Sequence, residues 1–99
     1  MRFCIDIDGT ICLTHGEDYQ NATPIRAAVE LVQKMKEDGH YIILFTARGT
    51  ITGIDWRLIT QKQMISWGVP FDELVLGKPA ADIYIDDKAL PAQIWHQLV

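Results

Sequence analysis

Ninety-nine residues, 48% of them apolar, suffice for one compact domain and exclude a chain assembled from several modules. A net charge of −4, from 9 basic and 13 acidic side chains, argues against a nucleic-acid binder, which would carry a basic face. No apolar run approaches the ~20 residues of a membrane span. No leader pattern opens the chain, and Cys4 and Cys12 lack the spacing of a zinc site. The expectation is a cytoplasmic protein with reduced thiols.

Residues 2–8 read as a buried strand, and 9–23 as a polar loop with a small β-flap. Thr23-Pro24 has the form of a helix start, Thr23 as N-cap and Pro24 at the first helical position. Ala28, Leu31, Val32 and Met35 then recur at helical spacing until Gly39. Tyr41–Phe45 reads as a second strand ending on Thr46-Ala47-Arg48-Gly49. Residues 50–55 form a loop, and Asp55 caps a helix over about 56–67, which Gly68-Val69-Pro70 stops. Glu73–Leu76 is a short third strand, followed by Gly77-Lys78-Pro79. Asp82–Ile85 is a fourth strand running into Asp86-Asp87, and Leu90-Pro91 opens a last helix carrying Ile94, Trp95 and Leu98. The alternation predicts an α/β fold of the Rossmann-like, three-layer kind, with a four-stranded parallel sheet in order 4-1-2-3 and right-handed crossovers.

Polar groups collect at the carboxyl ends of these strands, where open α/β sheets bind ligands. Asp6 and Asp8 follow strand one, Thr46 and Arg48 strand two, Lys78 strand three, Asp86 and Asp87 strand four. Side chains two apart on a strand project the same way, so Asp6 and Asp8 should share a side, where their repulsion calls for a cation or a proton. Mg²⁺ takes oxygen ligands and needs only one or two carboxylates beside its waters, which Asp6 and one or both of Asp86 and Asp87 can supply. Lys78 can neutralise further charge, and Thr46 can donate to a phosphoryl oxygen. Arg48 lies close enough to Thr46 to reach a substrate anion, or to pair with a helix instead. One aspartate can attack phosphorus, and a carboxylate two residues on can protonate the leaving oxygen and then activate water.

The motifs Ile5-Asp6-Ile7-Asp8-Gly9-Thr10, Ile43-Leu44-Phe45-Thr46, Lys78 within Gly77-Lys78-Pro79, and Tyr84-Ile85-Asp86-Asp87 occur in this order over nearly the whole chain. In them the sequence resembles the haloacid dehalogenase-like hydrolases. That resemblance implies Asp6 as nucleophile and metal ligand, and Asp8 as general acid/base whose backbone carbonyl also binds the metal. It implies Thr46 and Lys78 as phosphate-orienting groups, and Asp86 and Asp87 as the remaining metal ligands. Fifteen residues from Asp8 to Pro24 and thirty-one from Thr46 to Lys78 leave no room for a cap domain, so the likeness is to the capless branch. The phrase Asp82–Ala89 is similar to that of small phosphatases of capsule and lipopolysaccharide sugar biosynthesis.

The expectation is thus one domain, 1–99, acting as a Mg²⁺-dependent phosphatase on a phosphorylated small molecule. His15, Asp18 and Tyr19 stand on the flap, where they could read a leaving group. Trp56, Trp67 and Trp95 suit the core or a contact in a homo-oligomer. The rival expectation is a phosphoacceptor or silent phosphate-binding module, since receiver domains also gather aspartates, a hydroxyl and a lysine at a sheet edge.

Overall fold

The computed structural model describes residues 1–98. In chain order it contains β1 (Arg2–Asp6), β2 (Cys12–Leu13), β3 (Thr23–Pro24), α1 (Arg26–Glu37), β4 (Tyr41–Thr46), α2 (Arg57–Trp67), β5 (Glu73–Leu76) and α3 (Ala92–Trp95). Three parallel strands form the sheet in the order β1-β4-β5. Both crossovers step the same way along it, so right-handed connections put α1 and α2 on one face.

The apolar alternation of the strands faces those helices. Ile5 of β1, Ile42 and Leu44 of β4 and Leu74 of β5 join Ile7, Val29 and Val32 of α1, Met64 of α2 and Val69 in one buried cluster. On the opposite face Arg2, Cys4, Tyr41 and Glu73 are exposed and Ile43, Phe45 and Val75 half-buried. The second helical layer of the expected sandwich is absent among the described residues. The C-terminal turn packs back against α1.

Local chemistry explains the element ends. Thr23 and Pro24 do not start α1, because antiparallel pairing with Leu13 and Cys12 captures them as β3. The helix begins instead after Ile25, whose N–H donates to Ile11 O at 2.8 Å. Trp56 stands at the N-cap of α2 in place of the expected Asp55, whose Oδ1 accepts from the Arg57 N–H at 3.0 Å just before the helix. Gly68 closes α2 in the left-handed region at φ 76°, where a residue without Cβ is favoured. Asp72 fixes the β4–β5 register: its N–H donates to Ile42 O at 2.8 Å and its Oδ2 accepts from the Ile42 N–H at 2.8 Å.

The fourth strand expected over Asp82–Ile85 is not formed. Every residue from Pro79 to Pro91 is exposed, and residues 83–86 have no regular structure. Tyr84 folds back locally, its hydroxyl donating to Pro79 O and its ring lying 4.2 Å from Lys78 Nζ. The fold is therefore a small α/β unit with a parallel sheet of three strands and an open edge at β1.

Leu44 is fully buried at the middle of the central strand. Leu44→Ala should lower the unfolding free energy by about 2–5 kcal/mol, measured by urea titration, through lost transfer energy and the cavity left behind. A loss under about 1 kcal/mol would contradict this placement of the core.

Candidate active site

β1 ends at Asp6, and the chain turns immediately. Thr10, Ile11 and Cys12 all direct their N–H groups to Ile7 O, and Gly9, at φ 84°, donates to Cys12 O at 2.8 Å. The period-two alternation therefore stops at Asp6, and the two aspartates are held by different cations. Lys78 Nζ lies 3.1 Å from Asp6 Oδ1, while Thr10 Oγ1 donates to Asp6 Oδ2 at 3.2 Å. Lys78 is aimed from its backbone: its N–H donates to Thr46 O at 3.1 Å, and its carbonyl accepts from Thr50 Oγ1 at 2.9 Å. The Asp6 side chain stays 32% exposed, so one face of the carboxylate meets solvent.

Asp8 is held by Arg48. Arg48 Nη2 donates to Asp8 Oδ1 at 2.9 Å and Nε to Oδ2 at 3.0 Å, a two-pronged pairing that suits guanidinium geometry. The remaining guanidinium nitrogen, Nη1, donates to Thr60 Oγ1 at 3.1 Å and Gln63 Oε1 at 2.6 Å, both on α2. The Tyr19 ring covers the guanidinium at 4.8 Å, and Trp56 meets that ring edge-on at 5.0 Å. Thr14 Oγ1 donates to Asp8 Oδ1 at 2.6 Å. Burial raises the Asp8 pKa, but the hydrogen bonds from Arg48 and Thr14 and the charge of Arg48 together outweigh it and leave the carboxyl below its ordinary value. Cys12, which also touches Asp8, is pushed by burial to about 11 and stays a thiol.

Several expectations change on this geometry. Arg48 is 2% exposed with its donors turned inward, so it is a clamp on Asp8 and not a contact for a substrate anion. Thr46 is fully buried, and its hydroxyl accepts from the Arg48 N–H at 3.1 Å. Asp8, paired with Arg48, has its carboxyl held below the ordinary value. Asp86 and Asp87 lie on the exposed segment outside any strand, Asp86 Oδ1 accepting from the Lys88 N–H at 2.8 Å. Of the flap residues only Tyr19 joins the site; Asp18 bonds Asn21, and His15 contributes a backbone carbonyl to the loop. Thr14, Thr60 and Gln63 have no motif around them; only the helical spacing of 60 and 63 on the α2 face hinted that they act together.

Toward a metal, Asp6 offers the oxygen donors that a hard cation takes, and Mg²⁺ can keep its other positions filled with water. Among the described residues no three acidic, histidine or cysteine side chains converge as a metal group. Asp6 is thus the carboxylate at the strand end that fits such an ion, and the Asp86 and Asp87 side chains do not join it in one group among the described residues. A cleft of about 100 Å³ opens beside Tyr19, lined by Glu17, Ala47, Gly49, Ile51, Thr52 and Ala80. A larger hollow of about 410 Å³ lies over α2 at Ile59, Lys62 and Trp67, and contains none of the aspartates.

No protein-family model matches the chain, and no curated protein does. Among solved structures, the fold is similar to that of a structural-genomics target from Vibrio cholerae. That likeness has a TM-score of 0.88 at 27% identity and covers 96% of this chain and 86% of the other. It is also similar to a chain in the structure of a Pnkp1/Rnl/Hen1 complex, with a TM-score of 0.62 at 21% identity, over 87% of this chain and 30% of that one. The second likeness is one of fold alone. Together they define a small α/β protein with a parallel sheet, and no described helix is long and apolar enough to cross a membrane.

Arg48→Ala should lower stability by about 3 kcal/mol in urea titration near neutral pH, because it strands a part-buried carboxylate. A depressed folded pKa means that the unfolded chain binds the proton first as pH falls. The Asp8–Arg48 contribution is therefore complete above the ordinary carboxylate value and lost as pH drops through the folded one. Asp8→Asn should accordingly flatten the acid limb of the stability–pH curve; an unchanged limb would refute the pairing as its source.

Proposed function

We propose that the chain is a capless, Mg²⁺-dependent phosphomonoester hydrolase of the haloacid dehalogenase-like kind, with Asp6 as nucleophile, working in the cytoplasm on a phosphorylated small molecule. The observation that carries this reading is the Asp6 carboxylate at the end of β1, part-exposed and steadied by a backbone-anchored Lys78. Lysine at 3.1 Å from the carboxylate lends positive charge where an anionic phosphoryl group would approach. The open surface around it suits a substrate with an exposed phosphate.

In this reading an Asp6 oxygen attacks phosphorus and the bond to the leaving oxygen breaks. The electron pair departs with that oxygen, which takes a proton from water. A second water then attacks the phosphorus of the aspartyl-phosphate. It yields its proton to Asp8, inorganic phosphate leaves with Asp6 restored, and Asp8 passes the proton to the hydroxide left by the first step. Asp8 serves as the acceptor because Arg48 holds it ionised. Asp6 would hold Mg²⁺, which when bound would supply neutralisation of the phosphate charge.

Asp6→Asn should reduce phosphate release from an aryl phosphate by on the order of 10³-fold or more while leaving the thermal unfolding transition in place. Chelation with EDTA should stop release by the wild type, and added Mg²⁺ should restore it. Turnover by the Asp6→Asn protein, or turnover indifferent to EDTA, would overturn the proposal.

A further inference from the structure

Two features of the chain are unsatisfied in ways that match. β1 is an edge strand with no strand on its outer side among the described residues, and its Arg2 and Cys4 are exposed. An open edge of this kind is a template for another strand. The segment Asp82–Asp86 alternates like a strand, yet Ile83 is 77% and Ile85 96% exposed. Apolar β-branched side chains so placed ordinarily find a partner.

We infer that segment Asp82–Asp86 of one chain pairs in parallel with β1 of a second copy, and that two chains exchange these arms about a two-fold axis. One register pairs the two segments along their full length. Asp82 stands opposite the partner's Arg2, Ile83 opposite the partner's Phe3, Tyr84 opposite the partner's Cys4, Ile85 opposite the partner's Ile5, and Asp86 opposite the partner's Asp6. Opposite charges meet at one end, and Ile83 and Ile85 fall on the helix-covered face with Phe3 and Ile5. A slip by one residue would turn both isoleucines to the other face and lose the Arg2–Asp82 pair.

The chain's own β1 is a poor recipient. Lys78 is fixed at the carboxyl end of the sheet by Thr46 O and Asp6. From Asp6 back to the level of Arg2 is about 13 Å at 3.3 Å per residue. Pro79-Ala80-Ala81 would have to cover that distance fully stretched and then reverse at once. Parallel neighbours ordinarily need a connection of a dozen or more residues. A second copy removes that requirement, and exchange of an identical element is a low-cost route to a dimer.

The exchange itself stands on this geometry alone; its consequence for catalysis rests on the proposed phosphatase reading. Asp86 of each chain would stand beside the partner's Asp6 and add a second carboxylate oxygen donor where the single chain has one. The site would then be built from two copies.

Exposed Cys4 supplies the test. Under mild oxidation with oxidised glutathione, Tyr84→Cys should form a disulfide between Cys4 of one chain and position 84 of the other. It should run as a dimer without reductant, with the linkage mapped by peptide mass and lost in the Cys4→Ser background. A Cys4–position 84 disulfide within one chain, or none, would overturn the exchange. Should Tyr84→Cys not fold, light scattering decides on the wild type: a dimer at micromolar concentration supports the exchange and a monomer refutes it. Where the wild type releases phosphate, refolding Asp6→Asn and Asp86→Asn proteins together should recover about a quarter of its activity, because half the dimers carry one intact site. No recovery while Asp86→Asn alone is inactive would overturn the shared site. A wild type without phosphatase activity that still cross-links would defeat the proposed function and leave the exchange standing.

Discussion

The ion pair between Arg48 and Asp8 is the interaction on which the rest of the site depends. Arg48 follows β4, Asp8 follows β1, Thr60 and Gln63 lie on α2, and Tyr19 belongs to the flap. One guanidinium joins all four. Burying a charged group without partners would cost several kcal/mol, so each of its donors must be used. That requirement ties the turn after β1 to the loop after β4 and keeps the carboxyl edge of the sheet in one shape. Asp6 then projects from a turn that cannot drift, while Lys78 reaches it from the far side of β4.

A division of labour between the two aspartates follows from their different cations. Asp6 shares its lysine with solvent and keeps a face free. Asp8 shares its arginine with the protein interior and is held in the carboxylate form. The two residues have the same side chain two positions apart. What separates them is that β1 stops between them, and beyond that point Ile7 O organises the backbone as a tight turn.

Much of this was legible in the sequence where local pattern and burial agree. β1, β4, β5, α1 and α2 fall where apolar periodicity and glycine stops put them, because each buries one face in the same cluster. Asp6 and Lys78 were recognisable from their place after buried runs. Thr23-Pro24 was misread because pairing with Cys12–Leu13, a contact distant in sequence, outweighed a local capping preference. Arg48 was ambiguous because a guanidinium near a strand end serves substrate or structure equally well; only the positions of Thr60, Gln63 and Tyr19 around it decide the matter. Asp82–Asp86 has the composition of a strand, but pairing needs a neighbour at reach, and the short link from Lys78 denies it one in its own chain.

The most direct test of the account is chemical trapping of the nucleophile. The protein would be mixed with an excess of aryl phosphate and Mg²⁺, quenched with acid, and reduced with borohydride, which converts an acyl phosphate to an alcohol. Peptide mass spectrometry should find homoserine in place of Asp6 and an unmodified Asp8. Homoserine at Asp8, or steady phosphate release with no modified residue at position 6, would contradict it.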